Sequence, residues 1–338
     1  MVSMKDIAAK CGVSVATVSK ALNNHSDIGG ETKAMVRQTA KDMGYHPNVS
    51  ARALKTNRTY NLGILYSDKA KSGLTHDYFA SVIEHFRLTA ENEGYDITFL
   101  NNSRKRKDKM SYLAHCRYRG LDGVVIVASE YNDPEVIELM QSDIPLVLID
   151  YIYNERISVV SDNVEGMVAL TEYICQCGHT KIAYLYGEPS AVTRNRLTSF
   201  YNCMEKYQIM VPDEYVREAQ YRNSYVAGMI TNELLDLPEP PTCIIYADDF
   251  SAIGGMNAIK DRGLKVPEDI SIAGYDGILI ASQIEPVLTT YKQDTKEIGT
   301  LAASKLIELI QKPKSTIATS YTVTGQLIEG KSVAKPKK

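Results

Sequence analysis

Six aspartates stand where acidic side chains have the most to offer: Asp68, Asp150, Asp162, Asp248, Asp249 and Asp276 each follow a short apolar run. A carboxylate accepts hydrogen bonds from vicinal hydroxyls or protonated ring nitrogens, so carboxylates so placed suit a sugar-like or nucleoside-like ligand. For Asp162 and Asp249, which immediately precede helical stretches, capping of the helix is the competing role. A second set lies near the N-terminus, where Ser14, Val15, Ala16, Thr17, Ser19 and Lys20 occupy the start and outer face of a short helical pattern. Lys20 can donate to guanine O6 and N7, Val15 and Ala16 suit thymine methyls, and Thr17 and Ser19 can hold phosphates. The alternative is a plain three-helix bundle with these side chains merely exposed. Catalysis has no obvious seat: no G-x-S-x-G elbow, G-x-x-x-x-G-K-[ST] loop, G-x-G-x-x-G fingerprint or H-E-x-x-H helix is present.

The elements that must position the N-terminal set are short helices. Lys5 to Lys10 reads as an amphipathic helix with Ile7, Ala8 and Cys11 inward, broken at Gly12 and restarted by Ser14 as N-cap ahead of Val15 to Leu22. Ala9 is the small residue expected where two helices approach. A third helix, from about Glu31 to Met43, ends at Gly44 with Pro47 soon after. In a helix-turn-helix of this kind the second helix enters the major groove.

From Leu62 onward, apolar runs alternate with helical stretches, the pattern of parallel strands with crossover helices. The runs are Leu62 to Tyr66, Ile97 to Leu100, Val124 to Ala128, Pro145 to Ile149, Ile157 to Ser161, Lys181 to Tyr186, Cys243 to Ala247 and Ile270 to Tyr275. Helix candidates between them include Tyr78 to Gly94, Glu165 to Gly178 and Phe250 to Gly263. So many units favour two lobes over one sheet. Ligands of open parallel sheets sit beyond the carboxyl ends of the strands, which is where the aspartates fall.

Composition narrows the class. A chain of 338 residues with 44% hydrophobic and 23% charged residues is a globular protein of more than one domain. No stretch approaches the roughly 20 apolar residues of a membrane span, and no signal-peptide core follows Met1, so a cytoplasmic protein is expected. The net charge of −3 is split: residues 1 to 60 carry nine Lys and Arg against four Asp and Glu, or +5, leaving −8 for the remainder. Clustered positive charge releases counterions from phosphate, so the N-terminal end is the nucleic-acid candidate, although a solvated face is the commoner meaning of a charge run. The six cysteines lack metal-ligand spacing and read as reduced structural thiols, with a redox pair at Cys175 and Cys177 as the alternative. No metal or cofactor is expected.

Read as one run, Met4-Lys5-Asp6-Ile7-Ala8, Gly12-Val13-Ser14 and Ala16-Thr17-Val18-Ser19-Lys20-Ala21-Leu22-Asn23 resemble the head of the LacI/GalR family. Gly44-Tyr45-His46-Pro47-Asn48 and Ala51-Arg52-Ala53-Leu54 resemble that family's hinge. Asn48 can cap a short helix, Ala51 and Ala53 allow two such helices to meet, and Leu54 projects an apolar wedge, which the family drives into the minor groove at the operator centre. A linker leucine packed on the body is the other reading of Leu54. Arg52, Lys55 and Arg58 then fall near phosphates, and Asn23 joins the expected DNA contacts.

The body is similar to the sugar-binding periplasmic-type fold that the family places after its hinge. Asp162-Asn163-Val164-Glu165-Gly166, Gly178-His179, Ala247-Asp248-Asp249 and Gly274-Tyr275-Asp276 follow the family order. Arg196-Leu197-Thr198-Ser199-Phe200 resembles its ligand-gripping arginine segment, with Ser199 where glycine is usual. The resemblance implies effector contacts at Tyr78, Phe79, Arg196, Tyr221, Asp248 and Asp276, with Asp276 foremost; Phe79 reads equally as a core aromatic. Asp248 stands where many members have Asn, and its added negative charge favours a hydroxyl-rich neutral ligand.

The expected fold is therefore an all-α helix-turn-helix DNA-binding head plus an α/β two-lobed periplasmic-binding-protein-like effector domain with parallel sheets. Its expected parts are residues 1–47, a hinge and linker over 48–60, and a body over 61–338 with lobe crossovers near 161, 291 and 322. The implied function is a transcription regulator, not an enzyme, that binds a pseudo-palindromic operator in double-stranded DNA as a homodimer. The implied effector is a small molecule, a sugar first and a nucleobase or nucleoside second. A sugar-binding protein without a regulatory role would need no DNA head.

Overall fold

The structure, a computed structural model, describes residues 2–45, 58–67, 72–100 and 110–337. The chain divides into two compact units, Met1–Thr59 and Tyr60–Lys338.

Among the described residues of the first unit, three helices are present. Helix α1 (Met4–Cys11) begins with a reciprocal cap, in which the Ser3 hydroxyl accepts from the Asp6 N–H and the Asp6 carboxylate accepts from the Ser3 N–H at 2.8 Å. It ends at Gly12, whose φ of 64° is the left-handed conformation that glycine adopts without a Cβ penalty. Helix α2 (Val15–Leu22) starts on the Ser14 hydroxyl, which accepts from Thr17 N–H at 3.0 Å, and helix α3 (Gly30–Asp42) packs against both. Ile7, Ala8, Val18, Ala21, Val36 and Ala40 form the core. The small residues at the close approach are thus Ala8 and Ala21, whereas Ala9 is exposed. A helical face repeats every 3.6 residues, which carries position 9 past the buried stripe that Ile7 and Ala8 define.

The second unit opens with β1 (Asn61–Tyr66), α4 (Asp77–Asn92), β2 (Asp96–Leu100), α5 (Tyr112–Arg119), β3 (Gly123–Ala128), α6 (Pro134–Gln141), β4 (Leu146–Ile149) and β5 (Ile157–Ser161). It continues with α7 (Asn163–Gln176), β6 (Ile182–Tyr186), α8 (Ala191–Lys206), β7 (Val216–Glu218), α9 (Ser224–Leu235), β8 (Cys243–Tyr246), α10 (Asp249–Asp261), β9 (Ser271–Asp276) and β10 (Thr289–Lys292). Helix α11 (Thr295–Gln311), β11 (Ser320–Val323) and β12 (Gln326–Ile328) complete it.

Two six-stranded sheets result, ordered β11-β5-β4-β3-β1-β2 and β12-β10-β9-β8-β6-β7. Every pairing is parallel except β10 with β12. Helices cover both faces of a parallel sheet, so its inner strands are apolar on both sides, as Leu146-Val147-Leu148-Ile149 shows with all four residues buried. The chain passes between lobes three times: from β5 to α7, from β10 to α11, and from β11 to β12. The first lobe consequently owns α11, which packs on α4, β3, β4 and β5. Among the described residues no helix is long and apolar enough to cross a membrane.

Candidate functional site

On the first unit, the exposed face of α2 carries Val15, Ala16 and Lys20, with Val15 41% exposed although its side chain is wholly apolar. Its opposite face buries Val18 and Ala21, so the helix cannot rotate without losing its core. Lys20 is held by Asp27, with Nζ 2.5 Å from the carboxylate and both side chains about half exposed. Thr17 and Ser14 share a hydroxyl contact at 2.8 Å, and the Asn23 side-chain amide donates to the Ser19 carbonyl at 2.7 Å. Ser14 and Asn23 therefore also serve the helix ends. Asn48, Ala51, Arg52, Leu54 and Lys55 lie outside the described residues, as does Asp68.

In the second unit a cavity of about 250 Å³ opens between the lobes, at the carboxyl ends of both sheets. Its first-lobe wall is Ser67 after β1, Ala128, Ser129 and Glu130 at the end of β3, Asp150 after β4, and His76, Tyr78 and Phe79 at the start of α4. The Phe79 ring lies 5.0 Å from that of Tyr78 and 4.6 Å from that of His76, making an aromatic wall. The second-lobe wall has Glu188 and Ser190 after β6, Arg196 on α8, Tyr221 after β7 and Asp276 at the end of β9, with Gln293 at a crossing. A larger hollow of about 810 Å³ shares Tyr78, Asp276 and Gln293, but only the smaller cavity gathers the strand-end groups of both lobes.

Arg196 is 4% exposed and largely committed. Its Nε donates to Asn163 Oδ1 at 2.7 Å, Nη1 donates to the Ala247 carbonyl at 3.2 Å, and the guanidinium lies 3.6 Å over the Tyr275 ring. Nη2 stands 3.9 Å from Asp276 Oδ1. Asp276 accepts from Gln293 Nε2 at 2.6 Å through the same oxygen, which leaves Oδ2 to the cavity. Burial pushes the Asp276 carboxyl up to about 7, against the pull of Arg196. Asp150 is fixed by Tyr78 Oη at 2.7 Å and by the Ser161 N–H at 2.8 Å, and burial raises it too. Glu188 Oε2 accepts from the Tyr221 N–H at 3.0 Å, and Tyr221 Oη meets Thr193 Oγ1 at 2.9 Å. The Tyr221 ring lies flat on Gly187, where a Cβ would sit 2.1 Å from it.

Residues 3–48 match the profile of bacterial regulatory proteins of the lacI family, and residues 171–333 match the periplasmic binding protein-like domain. The probable HTH-type transcriptional repressor ExuR of Bacillus subtilis is 32% identical over 321 residues, 93% of each chain. The chain belongs to the lacI family of bacterial regulatory proteins. The lac repressor dimer bound to operator and the anti-inducer ONPF has the same fold, with a TM-score of 0.83 at 24% identity over 98% of this chain and 99% of that one. A LacI family regulator from Enterococcus faecium with bound ribose superposes at a TM-score of 0.71 and 25% identity, over 82% of this chain and all of that one. This LacI-family protein is thus a DNA-binding transcriptional regulator and not an enzyme.

Of the expected effector residues, Tyr78, Phe79, Arg196, Tyr221 and Asp276 line one cavity. Asp248 does not line it. Its carboxylate caps α10 by accepting from the Ser251 N–H at 2.7 Å and takes the Arg222 N–H at 2.7 Å, so the charge argument from Asp248 fails. The capping role expected of Asp249 belongs to Asp248, while Asp249 is fully buried and binds Thr290 Oγ1 and the Ile278 N–H. Asp162 does cap α7, accepting from Glu165 N–H at 3.0 Å. Ser199 falls inside α8, so its exchange for glycine touches a helix and no turn.

Sequence reasoning missed His76, Ser67, Glu130, Glu188 and Gln293 as wall residues. Glu130 and Glu188 lie two residues past β3 and β6, against one for Asp150 past β4, so the strand-end rule would have found them had glutamates been read with the aspartates. The Cys175 thiol is pushed up by Cys203 on the neighbouring helix and by burial.

Proposed function

We propose that this regulator represses its genes as a homodimer on a pseudo-palindromic operator, in the cytoplasm, and that its effector is a small uncharged sugar. The observation that carries the ligand class is an excess of unengaged acceptors: Asp276 Oδ2, the Glu188 oxygen not bound to Tyr221, and the exposed Glu130 carboxylate. Arg196, the guanidinium of the lining, spends two of its five N–H donors on the protein, and its Nη2 stands beside Asp276, which offsets its charge. Acceptors need donors, so hydroxyls fit, whereas an acceptor-only carboxylate or phosphate would face the Glu188 and Glu130 carboxylates; Asp276, pushed up to about 7, can also donate while it holds its proton, and a hydroxyl suits either form. A cavity of about 250 Å³ lies at the small end of ligand pockets and suits a monosaccharide. The ribose bound by the Enterococcus faecium relative is consistent with this size. A nucleoside is the second reading, favoured by the Tyr78, Phe79 and Tyr221 rings, which can stack on a base as well as on a sugar face.

Effector binding between the lobes changes their relative angle and so biases whether the two heads and hinges can engage the operator together. Such coupling is worth roughly 1 to 3 kcal/mol, set by the ligand's differential affinity for the two arrangements. The test is a thermal-shift screen of the full chain against neutral sugars, the matching sugar acids and phosphates, and nucleosides, followed by operator titration with each hit. A neutral sugar that raises Tm and alters operator affinity is the expected result. A response confined to acids or phosphates would overturn the ligand class, and one confined to nucleosides would install the second reading.

A further inference from the structure

We propose that Arg222 is a positioning residue that clasps the two lobes together across the mouth of the cavity. It lies in the second lobe, between β7 and α9, with a φ of 55° that few non-glycine residues adopt. The backbone is held in that conformation by two carboxylates of its own lobe. The Tyr221 N–H is bound by Glu188 at 3.0 Å and the Arg222 N–H by Asp248 at 2.7 Å. Asn223 then caps α9, accepting from the Val226 N–H at 3.0 Å, so three consecutive residues are pinned before the arginine side chain begins.

That side chain reaches out of its own lobe. It passes the Phe250 ring, with the guanidinium carbon 5.0 Å from the centroid, and Nη1 donates to the Thr75 carbonyl at 2.7 Å. The same nitrogen is 3.5 Å from the Asp77 carboxylate. Only 13% of the arginine side chain is exposed, but the Asp77 side chain is 53% exposed, so the ion pair is screened and the hydrogen bond to the Thr75 carbonyl is the tie. Thr75 and Asp77 flank His76 and immediately precede Tyr78 and Phe79, the aromatic wall of the first lobe. One side chain therefore ties the segment carrying that wall to the segment carrying Tyr221, the wall opposite. The three covalent crossings permit a hinge, and this bond adds a tie at the rim that no crossing supplies. It acts on the cavity through Thr75 and Tyr221 and stands whatever ligand the cavity takes.

Hydrogen exchange of the ligand-free full chain tests it, comparing the wild type with Arg222→Ala and Arg222→Lys. The expected result is exchange at least about fivefold faster over residues 72–79, on the far lobe, in Arg222→Ala, with most of the protection restored in Arg222→Lys. Faster exchange over 219–224 alone, with 72–79 unchanged, would reduce Arg222 to a local support of its own lobe and overturn the clasp; no change anywhere overturns it equally. Should Arg222→Ala fail to fold, Arg222→Met, which keeps an aliphatic stem and removes the donor to the Thr75 carbonyl, carries the test: faster exchange over 72–79 supports the tie, and unchanged exchange there rejects it.

Discussion

Two buried side chains set the electrostatics of the cavity, and their variants should behave oppositely. Asp276 is pushed up to about 7 by burial, so between the ordinary carboxylate range and pH 7 the folded chain keeps a proton that the unfolded chain has lost. The stability contributed by that proton is full below the ordinary range and is lost as pH rises through about 7. Asp276→Asn, which carries no charge at any pH, should therefore raise Tm at pH 8 by several degrees and leave it little changed at pH 5, while weakening effector binding on the order of 100-fold. Scanning calorimetry at the two pH values checks the first half, and an unchanged Tm at pH 8 would refute it. Arg196→Ala should lower Tm instead, because it strands the Asn163 oxygen and the Ala247 carbonyl in the interior, at about 1 to 3 kcal/mol for each buried group left unpaired. The carboxyl-end aspartates were legible in the sequence because a parallel sheet must deliver its strand ends to one edge. The internal engagement of Arg196, and that of Asp248 with Arg222, was not legible, since these partners arrive from segments 26 to 51 residues away; the Asp248 cap on Ser251 is local.

At the scale of elements, caps and close contacts decide. Ser14→Ala removes the hydroxyl that begins α2 and should cost about 1 kcal/mol of stability in the first unit, read as a lowered denaturation midpoint. Gly187→Ala should displace the Tyr221 ring, because the ring is tethered through its hydroxyl to Thr193 and cannot swing away freely. Effector affinity should drop at least about tenfold with operator binding retained; calorimetric titration with a hit from the sugar screen checks this, and wild-type affinity would show that Tyr221 is not a ligand wall. The eight apolar runs all became strands; seven did so because buried parallel strands are read as continuous apolar stretches, while β2 is an edge strand in which only Leu100 is buried. The four strands that sequence reading missed are β7, β10, β11 and β12, with patterns such as Val216-Arg217-Glu218 and Gln326-Leu327-Ile328. Three of these four are sheet-edge strands, paired on one side only, where polar residues are tolerated and the periodic signal fades.

For the whole molecule, the division of labour between a basic head and an acidic body yields a salt-dependent prediction. Lys20→Ala should weaken binding to the specific operator by about 1 to 3 kcal/mol and relax specificity at one base pair, if Lys20 leaves Asp27 to reach a guanine. Loss of equal size on random DNA would mark Lys20 as a phosphate contact only. Leu54→Ala, argued from the hinge resemblance alone, should weaken operator binding selectively while salt-driven binding to nonspecific DNA persists. The two-unit organisation and the family were readable because the motif of the first 54 residues is long and ordered. How much of each site the folded chain reserves for itself was not readable.

The return of the chain to its first lobe also governs the order in which the molecule can be made. The first sheet receives α11 and β11 only from residues 295–323, after every strand of the second sheet except β12 has been synthesised. At bacterial rates of about 5 to 20 residues per second, roughly 13 to 52 seconds separate the emergence of a complete head from that of the last strand of the first lobe. During that interval every residue of the DNA-reading module has been made while the first lobe still lacks α11 and β11.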